Sequence, residues 1–348
     1  MSSSAKKSNL FRVAIVGAAA LKGKEVRDVL SERNFPSVDI KLLDDEDSLG
    51  QLEQVNDEPT FIQGVLPEHL DGVDFTFLTA DESYVAKKWA TVRDAGSEII
   101  DLSYALENNT DIVLRAPWVE RELGHTHPVA LQSAPVMVAH PASVTLALLL
   151  ARLQKAAPIQ VASAVIGQPA SEYGRRGMDE LHDQTVNLLS FQTMPTSTFG
   201  TQASFNLYAQ TMQGAQPSLA EVESRVVRHF KAIVQGEVSL PALLLVQTPV
   251  FHGYTIAMFV QTAADVTAEI LEKALAGPHI TVSTEPDEFP SNVNIAGSSE
   301  ILANIRADSE RPNGFWLFAA CDNLRVSAIQ AIECAEEMVQ TRPRGQLQ

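Results

Sequence analysis

Val13-Ala-Ile-Val-Gly-Ala-Ala-Ala-Leu-Lys-Gly23 is the stretch around which the chain is organised. Its four apolar residues Val13–Val16 predict a buried strand of a parallel sheet. Gly17 permits a tight turn, and apolar residues recur at helical spacing from Gly23 onward. A strand, a glycine turn and a helix form the first unit of a dinucleotide-binding fold, in which the helix N-terminus faces the pyrophosphate. Because Ala20 stands where a third glycine would be most useful, the stretch also fits a strand–turn–helix unit without a ligand.

The composition excludes several classes of protein. A chain of 348 residues, 45% of them hydrophobic, has enough material for about two domains with their own cores. Its formal net charge of −17 argues against nucleic-acid and anionic-membrane partners. Two cysteines do not make a disulfide framework, and residues 1–9 lack the apolar core of a signal peptide, so we expect a cytoplasmic protein. No apolar run is long enough to span a bilayer, and the sequence predicts no metal site.

An acidic run, Asp44-Asp45-Glu46-Asp47, follows the second predicted strand, Val38–Leu43. In dinucleotide-binding folds a carboxylate roughly 20 residues beyond the glycine loop binds the ribose 2′-hydroxyl. Four carboxylates would repel a 2′-phosphate, so the run favours NAD over NADP. A solvated acidic loop is the alternative interpretation of the same residues.

Strands and helices alternate through the first part of the chain. After the first two strands, the pattern predicts strands over residues 74–79, 98–102 and 136–139 and helices over 84–95 and 143–153. Residues 105–119 are predicted to be a connecting stretch. Repeated β-α-β units are typical of an α/β fold with a doubly wound parallel sheet.

The second part of the chain has a different pattern. It predicts strands over residues 160–167, 242–248, 255–261 and 315–320 and helices over 177–189, 219–234, 267–275 and 323–339. This order indicates an α+β layer, with a mostly antiparallel or mixed sheet and helices on one face. Such a sheet could pair with a copy of itself, so we expect a homodimer.

Several segments resemble those of the aspartate-semialdehyde dehydrogenases. Val13–Gly23 resembles the segment with that family's Gly-Ala-Thr-Gly-Ala-Val-Gly loop, Gly177–Thr185 is similar to the helix that opens its second domain, and Asp322–Arg325 matches its motif before the C-terminal helix. The resemblance covers nearly the whole chain and is strongest to the Usg-type branch. It implies a Rossmann-like dinucleotide-binding domain over residues 1–142 and an α+β substrate and dimerisation domain over 143–322. Residues 323–348 would form a helix that returns to the first domain.

The family's reaction is the reversible, NADP-linked reductive dephosphorylation of an acyl phosphate. It uses a cysteine as the nucleophile and a histidine as the acid–base catalyst. The segment His140-Pro-Ala-Ser-Val-Thr145 places Ser143 at the cysteine position, and Tyr254 stands at the histidine position. Serine gives an ester rather than a thioester, and a phenol with a pKa of about 10 is a poor base at neutral pH. Ser143 also fits as a helix N-cap. His252 could share a strand face with Tyr254 as a rescuing base, or be a surface or edge histidine.

The positions that grip anions differ as well. The resemblance implies that Gln247 replaces the arginine that binds the substrate carboxylate, and that Glu107 replaces the phosphate-gripping arginine. A carboxylate repels phosphate where an arginine would pair with it bidentately. Gln168 matches the family's active-site glutamine and Ser171 also matches, whereas Glu172 replaces a glycine.

Cofactor contacts are implied at the glycine loop and at the segments that follow the neighbouring strands. The implied set is Gly17, Ala20, Leu21, Gly23, Asp44, Thr79, Ala80 and Asn323. Asp45 stands where an arginine commonly reads the 2′-phosphate, and Asp81 places an acid near an anion. Asn323 also fits as the N-cap of the last helix. Cys321 and Cys334 are expected to be buried structural thiols.

Nucleophile, base and both arginines therefore differ together. Residues that act as a unit lose nearly all of their chemical advantage when several are replaced. We expect a family member without the family reaction, a pseudoenzyme with a binding or regulatory role that binds NAD, NADP or no cofactor. The first alternative is an active NAD(P)-dependent oxidoreductase with a different aldehyde-type substrate. The second is an assembly subunit whose first domain binds nothing.

Overall fold

The computed structural model describes residues 10–55, 58–126, 134–210, 212–283 and 287–341. The polar residues 1–9 and the last seven residues of the predicted segment 323–348 lie outside the described residues. The chain divides into two compact units. The first consists of Met1–Arg115, His127–Val138 and Ala328–Gln348, and the second of Ala116–Thr126 and Ala139–Ser327.

The first unit is built on a parallel sheet. Its strands are β1 (Phe11–Val16), β2 (Ser37–Asp44), β3 (Leu52–Val55), β4 (Glu58–Phe61), β5 (Gln63–Gly64), β6 (Phe75–Leu78), β7 (Glu98–Asp101), β8 (Val113–Arg115) and β9 (Val136–Val138), and its helices are α1 (Leu21–Glu32), α2 (Pro67–Leu70) and α3 (Glu82–Asp94). Seven strands pair in the order β5-β2-β1-β6-β7-β9-β8, and every pairing is parallel. β3 and β4 form a separate antiparallel hairpin. The sheet confirms the predicted Rossmann-like α/β class.

The turn after β1 brings three backbone segments into contact. Gly17 has a φ of +96°, which an L-residue rarely adopts, and a Cβ there would lie 2.2 Å from the Ala80 nitrogen. A Cβ on Gly23 would lie 2.1 Å from the Gly17 carbonyl oxygen. Only glycine fits at both positions, so the two glycines let α1 start directly against the end of β1.

The second unit is a mixed sheet with helices. Its elements are α4 (Pro117–Leu123), α5 (Pro141–Ala156), β10 (Ile159–Gln168), α6 (Gly174–Leu189), α7 (Leu219–Val234), β11 (Ala242–Gln247), β12 (Tyr254–Thr262), α8 (Ala268–Leu275), β13 (Ile280–Val282), β14 (Ile301–Ala307) and β15 (Gly314–Cys321). The six strands pair in the order β11-β10-β12-β15-β14-β13, with parallel pairs at the two ends and antiparallel pairs between them. The last helix, α9 (Asn323–Thr341), begins in this unit.

One face of this sheet is buried and the other is open. Along β12 every second residue from Tyr254 to Thr262 is buried, and the residues between them are half-exposed. α5, α7 and α8 contact strands of the sheet. The arrangement confirms the predicted mixed sheet. No helix within the described ranges is both long enough and apolar enough to span a membrane.

The sequence predicted that residues 105–119 are a connecting stretch, but the segment also contains regular elements. It contains β8 and the first turn of α4. Pro117 occupies the first turn of that helix, where its missing N–H breaks no helical hydrogen bond, so this proline starts a helix instead of interrupting one. The hairpin β3–β4, helix α2 and strands β5, β13 and β14 were also not predicted, because most of them are too short to show a period.

Replacing Gly17 by alanine tests the close backbone approach. We expect Gly17→Ala to lower the free energy of unfolding by about 3 kcal/mol, since it adds both left-handed strain and overpacking. Gly96 is the matched control, because it has a φ of +76° but a Cβ added there would meet no atom within 4 Å. Gly96→Ala should lower the free energy of unfolding by only about 1 kcal/mol. Equal losses in urea unfolding would show that the contact with Ala80 adds no constraint.

Candidate functional site

Asp44 is the residue that ties the glycine loop to the end of β2. Its Oδ2 accepts a hydrogen bond from the Ala19 N–H at 2.7 Å, and its Oδ1 accepts one from the Asp45 N–H at 2.8 Å. Burial raises the pKa of the Asp44 carboxyl, the charges of Asp45 and Asp81 act in the same direction, and the two backbone hydrogen bonds oppose the rise. The carboxylate predicted to bind a ribose is therefore also a structural part of the loop.

Thr79 and Ala80 complete the same turn. The Thr79 hydroxyl donates to the carbonyl oxygens of Val16 and Gly17, at 2.9 and 3.0 Å. Ala20 precedes α1, and its N–H donates to the Gly17 carbonyl at 3.0 Å. The structure thus brings seven of the eight predicted cofactor residues together at the carboxyl ends of β1, β2 and β6, and the eighth, Asn323, belongs to the second unit.

Glu107 follows β7 in a tightly organised segment. The buried Asp101 carboxylate accepts hydrogen bonds from the Ser103 N–H and hydroxyl and from the Leu106 N–H. The Lys22 ammonium group of α1 lies 4.5 Å from the centre of the Tyr104 ring. Glu107 is half-buried in this turn. The position that the sequence predicted to face a phosphate is thus occupied by an acidic side chain.

Ser143 lies in α5 and is fully buried. Its hydroxyl donates to the Val226 carbonyl oxygen of α7 at 2.9 Å. The N-cap interpretation of Ser143 was wrong, because Pro141 occupies the first helical position and His140 is the cap residue. His140 Nδ1 accepts a hydrogen bond from the Ala142 N–H at 3.3 Å.

Tyr254, Glu172 and His140 form a buried hydrogen-bond network. The Tyr254 hydroxyl donates to Glu172 Oε2 at 3.0 Å, and His140 Nε2 lies 3.3 Å from Glu172 Oε1. Because the Ala142 N–H occupies Nδ1, the imidazole proton is assigned to Nε2, which donates to the carboxylate. The Tyr254 oxygen is 3.5 Å from the same Nε2. The Glu172 side chain is 5% exposed and that of His140 is 0% exposed.

The network was not predicted from the sequence. His140 and Glu172 are 32 residues apart, and Tyr254 is another 82 residues along the chain. The sequence carried no local signal for these contacts, because hydrogen bonds between residues so far apart leave no spacing pattern in a single chain. The His140 N–H also donates to His229 Nδ1 at 2.9 Å, which adds α7 to the same cluster.

Gln168 and Gln247 form a buried pair of neutral amides. Gln168 Nε2 donates to Gln247 Oε1 at 3.1 Å, and Gln247 Nε2 donates to the Thr248 and Gln168 carbonyl oxygens at 3.0 and 3.2 Å. Both side chains are fully buried, at the ends of β10 and β11. An uncharged pair cannot hold a carboxylate by the bidentate pairing that an arginine provides.

Asn323 joins two loops instead of capping the last helix. Its Oδ1 accepts hydrogen bonds from the Gly253 N–H at 3.1 Å and the Ser171 hydroxyl at 3.2 Å. The cap is the preceding residue, because Asp322 Oδ1 accepts from the N–H groups of Leu324 and Arg325. The N-cap interpretation of Asn323 was therefore wrong by one residue.

His252 does not share a strand face with Tyr254. β12 begins at Tyr254, and Gly253 has a φ of +85°, which interrupts the alternation of an extended strand. Burial lowers the pKa of His252, and the charge of Asp322 opposes that shift. Both cysteines are buried, as predicted, and burial raises the pKa of the Cys321 thiol to about 12.

Two family models match this chain. The model of the semialdehyde dehydrogenase NAD binding domain matches residues 12–127, and the model of the semialdehyde dehydrogenase dimerisation domain matches residues 149–326. The chain is 29% identical over 338 residues to aspartate-semialdehyde dehydrogenase 2 of Vibrio cholerae, with 95% of this chain and 98% of that one covered. It is 26% identical over 334 residues to the USG-1 protein homolog of Azotobacter vinelandii, with 94% and 97% covered.

A solved structure supports the same assignment. The crystal structure of aspartate semialdehyde dehydrogenase II from Vibrio cholerae matches with a TM-score of 0.82 at 27% identity, over 96% of this chain and 100% of that chain. These similarities confirm the predicted resemblance, including that to a USG-1 homologue, and the predicted fold.

Proposed function

The chain belongs to the semialdehyde dehydrogenase family, and we propose that it is a member without the family's thiol-dependent reaction. The observation that carries the proposal is the environment of Ser143, which stands at the predicted nucleophile position. Its hydroxyl is fully buried and donates to the Val226 carbonyl. An attacking serine needs a base to take its proton, and here that proton is held by a main-chain oxygen.

The proposed base position supports the same conclusion. Tyr254 already donates its proton to the Glu172 carboxylate. A phenolate beside that carboxylate would be disfavoured by like-charge repulsion, so Tyr254 is a poor replacement for a histidine base. Tyr254 also lies within the buried face of the sheet.

The anion-binding positions complete the argument. We propose that Gln247 and Glu107 stand where the family uses two arginines. The first is part of a neutral amide pair and the second is an acid. Neither can attract the carboxylate of aspartate semialdehyde or inorganic phosphate.

We propose that the first unit retains a dinucleotide site that prefers NAD. The glycine turn, the start of α1 and the family match over residues 12–127 support nucleotide binding. The acidic run from Asp44 to Asp47 supports NAD, since a 2′-phosphate would meet several carboxylates.

We propose that the second unit forms a homodimer through the open face of its sheet. Leu244, Val165, Ala257 and Phe318 lie in register across four neighbouring strands. Leu244, Val165 and Phe318 are exposed, and Phe259 and Trp316 form a contacting pair in the next row. A contiguous apolar face of this kind is typical of a protein interface. We propose that the dimer has a binding or regulatory role, and that an active dehydrogenase is one candidate for the protein that it binds.

One observation favours the alternative of an active oxidoreductase with another aldehyde-type substrate. Tyr254, Glu172 and His140 connect a phenol, a carboxylate and an imidazole, which is the composition of a proton-transfer chain. The activity experiment below separates this alternative from the first proposal.

The family reaction should be absent. With aspartate semialdehyde, phosphate and NADP, we expect NADPH formation at 340 nm to be at least ~10⁴-fold slower than with the Vibrio cholerae enzyme assayed in parallel. Ser143→Cys alone should not restore it, because the base and both arginines are still replaced. Turnover by the unaltered chain would overturn the proposal. Reduction of another aldehyde by NADH or NADPH, lost in Tyr254→Phe, would support the alternative.

Cofactor preference should follow the acidic run. Calorimetric titration should give a Kd for NAD at least ~10-fold lower than that for NADP, because repulsion acts on the 2′-phosphate alone. Asp45→Arg should narrow this ratio. Asp39→Arg makes the same charge change near the opposite end of β2 and should leave the ratio unchanged. Absence of heat with either nucleotide would instead favour the assembly-subunit interpretation.

Charges on the open sheet face should prevent dimerisation. We expect Val165→Glu combined with Phe318→Glu to convert a two-chain particle into single chains at micromolar concentration, since burying carboxylates without partners is unfavourable. Light scattering coupled to gel filtration measures the mass directly. Val38→Glu, at an exposed valine of the first unit, is the control. A double variant that keeps the two-chain mass would rule out this face as the interface.

A further inference from the structure

We infer that Glu172 is an internal ligand, whose carboxylate fills a carboxylate-binding subsite formed by His140 and Tyr254. The inference rests on the proposed function, because it assigns positions 143 and 254 to the lost nucleophile and base. It adds the chemical class of the group that this subsite binds, a short carboxylate.

The two donors converge on the two oxygens of one carboxylate. Tyr254 donates to Oε2 of Glu172 and His140 Nε2 donates to Oε1. If the His140 ring rotated so that its Nε2–H pointed away from Glu172, its Nδ1 would lose the hydrogen bond that it accepts from the Ala142 N–H. Such an arrangement, with one donor for each oxygen, is specific for a carboxylate over a neutral amide, which has only one acceptor atom.

Burial makes these bonds necessary. The Glu172 side chain is 5% exposed and the His140 side chain is fully buried. A buried carboxylate is tolerated only when hydrogen bonds replace its hydration, so donors and acceptor depend on one another. If the Glu172 side chain alone were removed, the donors of His140 and Tyr254 would remain in place, and another small carboxylate could accept their hydrogen bonds.

The backbone that carries Glu172 is held independently of its side chain. The Ala170 N–H donates to the Val250 carbonyl at 2.8 Å, and the Ser171 N–H donates to the Phe251 carbonyl at 2.9 Å. His140 is likewise fixed as the cap of α5, and Tyr254 by its place in β12. The subsite is therefore expected to survive the loss of the glutamate side chain.

The size of the missing group identifies a matched probe. Beyond Cα, a glutamate side chain consists of two methylene groups and a carboxylate, which is the composition of propionate apart from one hydrogen. Glu172→Gly restores the residue that the family has at this position and opens a pocket of that size. Propionate should then enter the pocket and accept the two hydrogen bonds that Glu172 accepts in the unaltered chain.

The test is thermal unfolding of Glu172→Gly titrated with sodium propionate at constant ionic strength. We expect a saturable rise in Tm of about 3 °C or more, since a ligand that binds only the folded state stabilises it. Propionamide has the same shape without the charge and should give no saturable rise. The unaltered chain should not respond to propionate, because its subsite is filled. An equal response to propionate in the unaltered chain, or none in Glu172→Gly, would overturn the inference.

The contacts of the subsite are tested by adding Tyr254→Phe to Glu172→Gly. This double variant lacks one donor and should lose most of the propionate response, whereas Tyr84→Phe in the same background should keep it. A response that survives Tyr254→Phe unchanged would place propionate elsewhere and overturn the inference.

A second measurement covers the case in which Glu172→Gly does not fold. Urea midpoints of Glu172→Gln, Tyr254→Phe and the double variant form a cycle, and the double variant should shift the midpoint by less than the sum of the single shifts. Additive shifts would contradict the inference. Neither the propionate titration nor the urea cycle involves NAD(P), phosphate or turnover. If the chain turned over aspartate semialdehyde, that result would refute the proposed function, but the existence of the carboxylate subsite would still be decided by these two measurements.

Discussion

The first unit depends on a close approach of backbones at Gly17, where a side chain of any kind would meet Ala80. Because that space is empty of side-chain atoms, the hydroxyl of Thr79 reaches two carbonyls of the turn and the carboxylate of Asp44 reaches the N–H of Ala19. The residues predicted to contact a nucleotide are thus the residues that hold the turn together. A substitution of Thr79 or Asp44 would therefore disturb the turn itself, since each of these polar side chains already has a structural partner.

The sequence predicted regular elements well where their signals are local. α7 has the predicted bounds Leu219–Val234, because Ser218 and Glu221 form a capping box that marks its start. The strand predicted over residues 255–261 was also found, as β12, because its apolar run is a local signal, whereas the alternation of buried and half-exposed residues along it became visible only in the structure. β13 and β14 were missed: β13 has only three residues, whereas β14 was overlooked although Ile301, Ala303 and Ile305 alternate along it and are buried. The domain boundaries drawn from the resemblance stay predictions.

The candidate site was predicted as a set of positions but not as a set of contacts. Sequence reasoning located Ser143, yet the partner that holds its hydroxyl, Val226, is 83 residues away. A serine near a helix start looks the same whether it caps the helix or bonds across to another one. Similarly, Asp322 and Asn323 are both good capping residues, and only the geometry shows that the first caps α9 while the second bridges two loops. Long-range hydrogen bonds leave no periodic trace in a single sequence.

The network of His140, Glu172 and Tyr254 also restricts how this chain could change during evolution. Removing Glu172 first takes away the acceptor that two buried donors share, whereas removing either donor first leaves a buried carboxylate with one partner fewer. Each single substitution in the network therefore gives a less stable protein, although a combined change at all three positions need not be unfavourable. The three residues therefore constrain one another, because no one of them can be replaced alone without leaving a buried polar group with fewer hydrogen-bond partners.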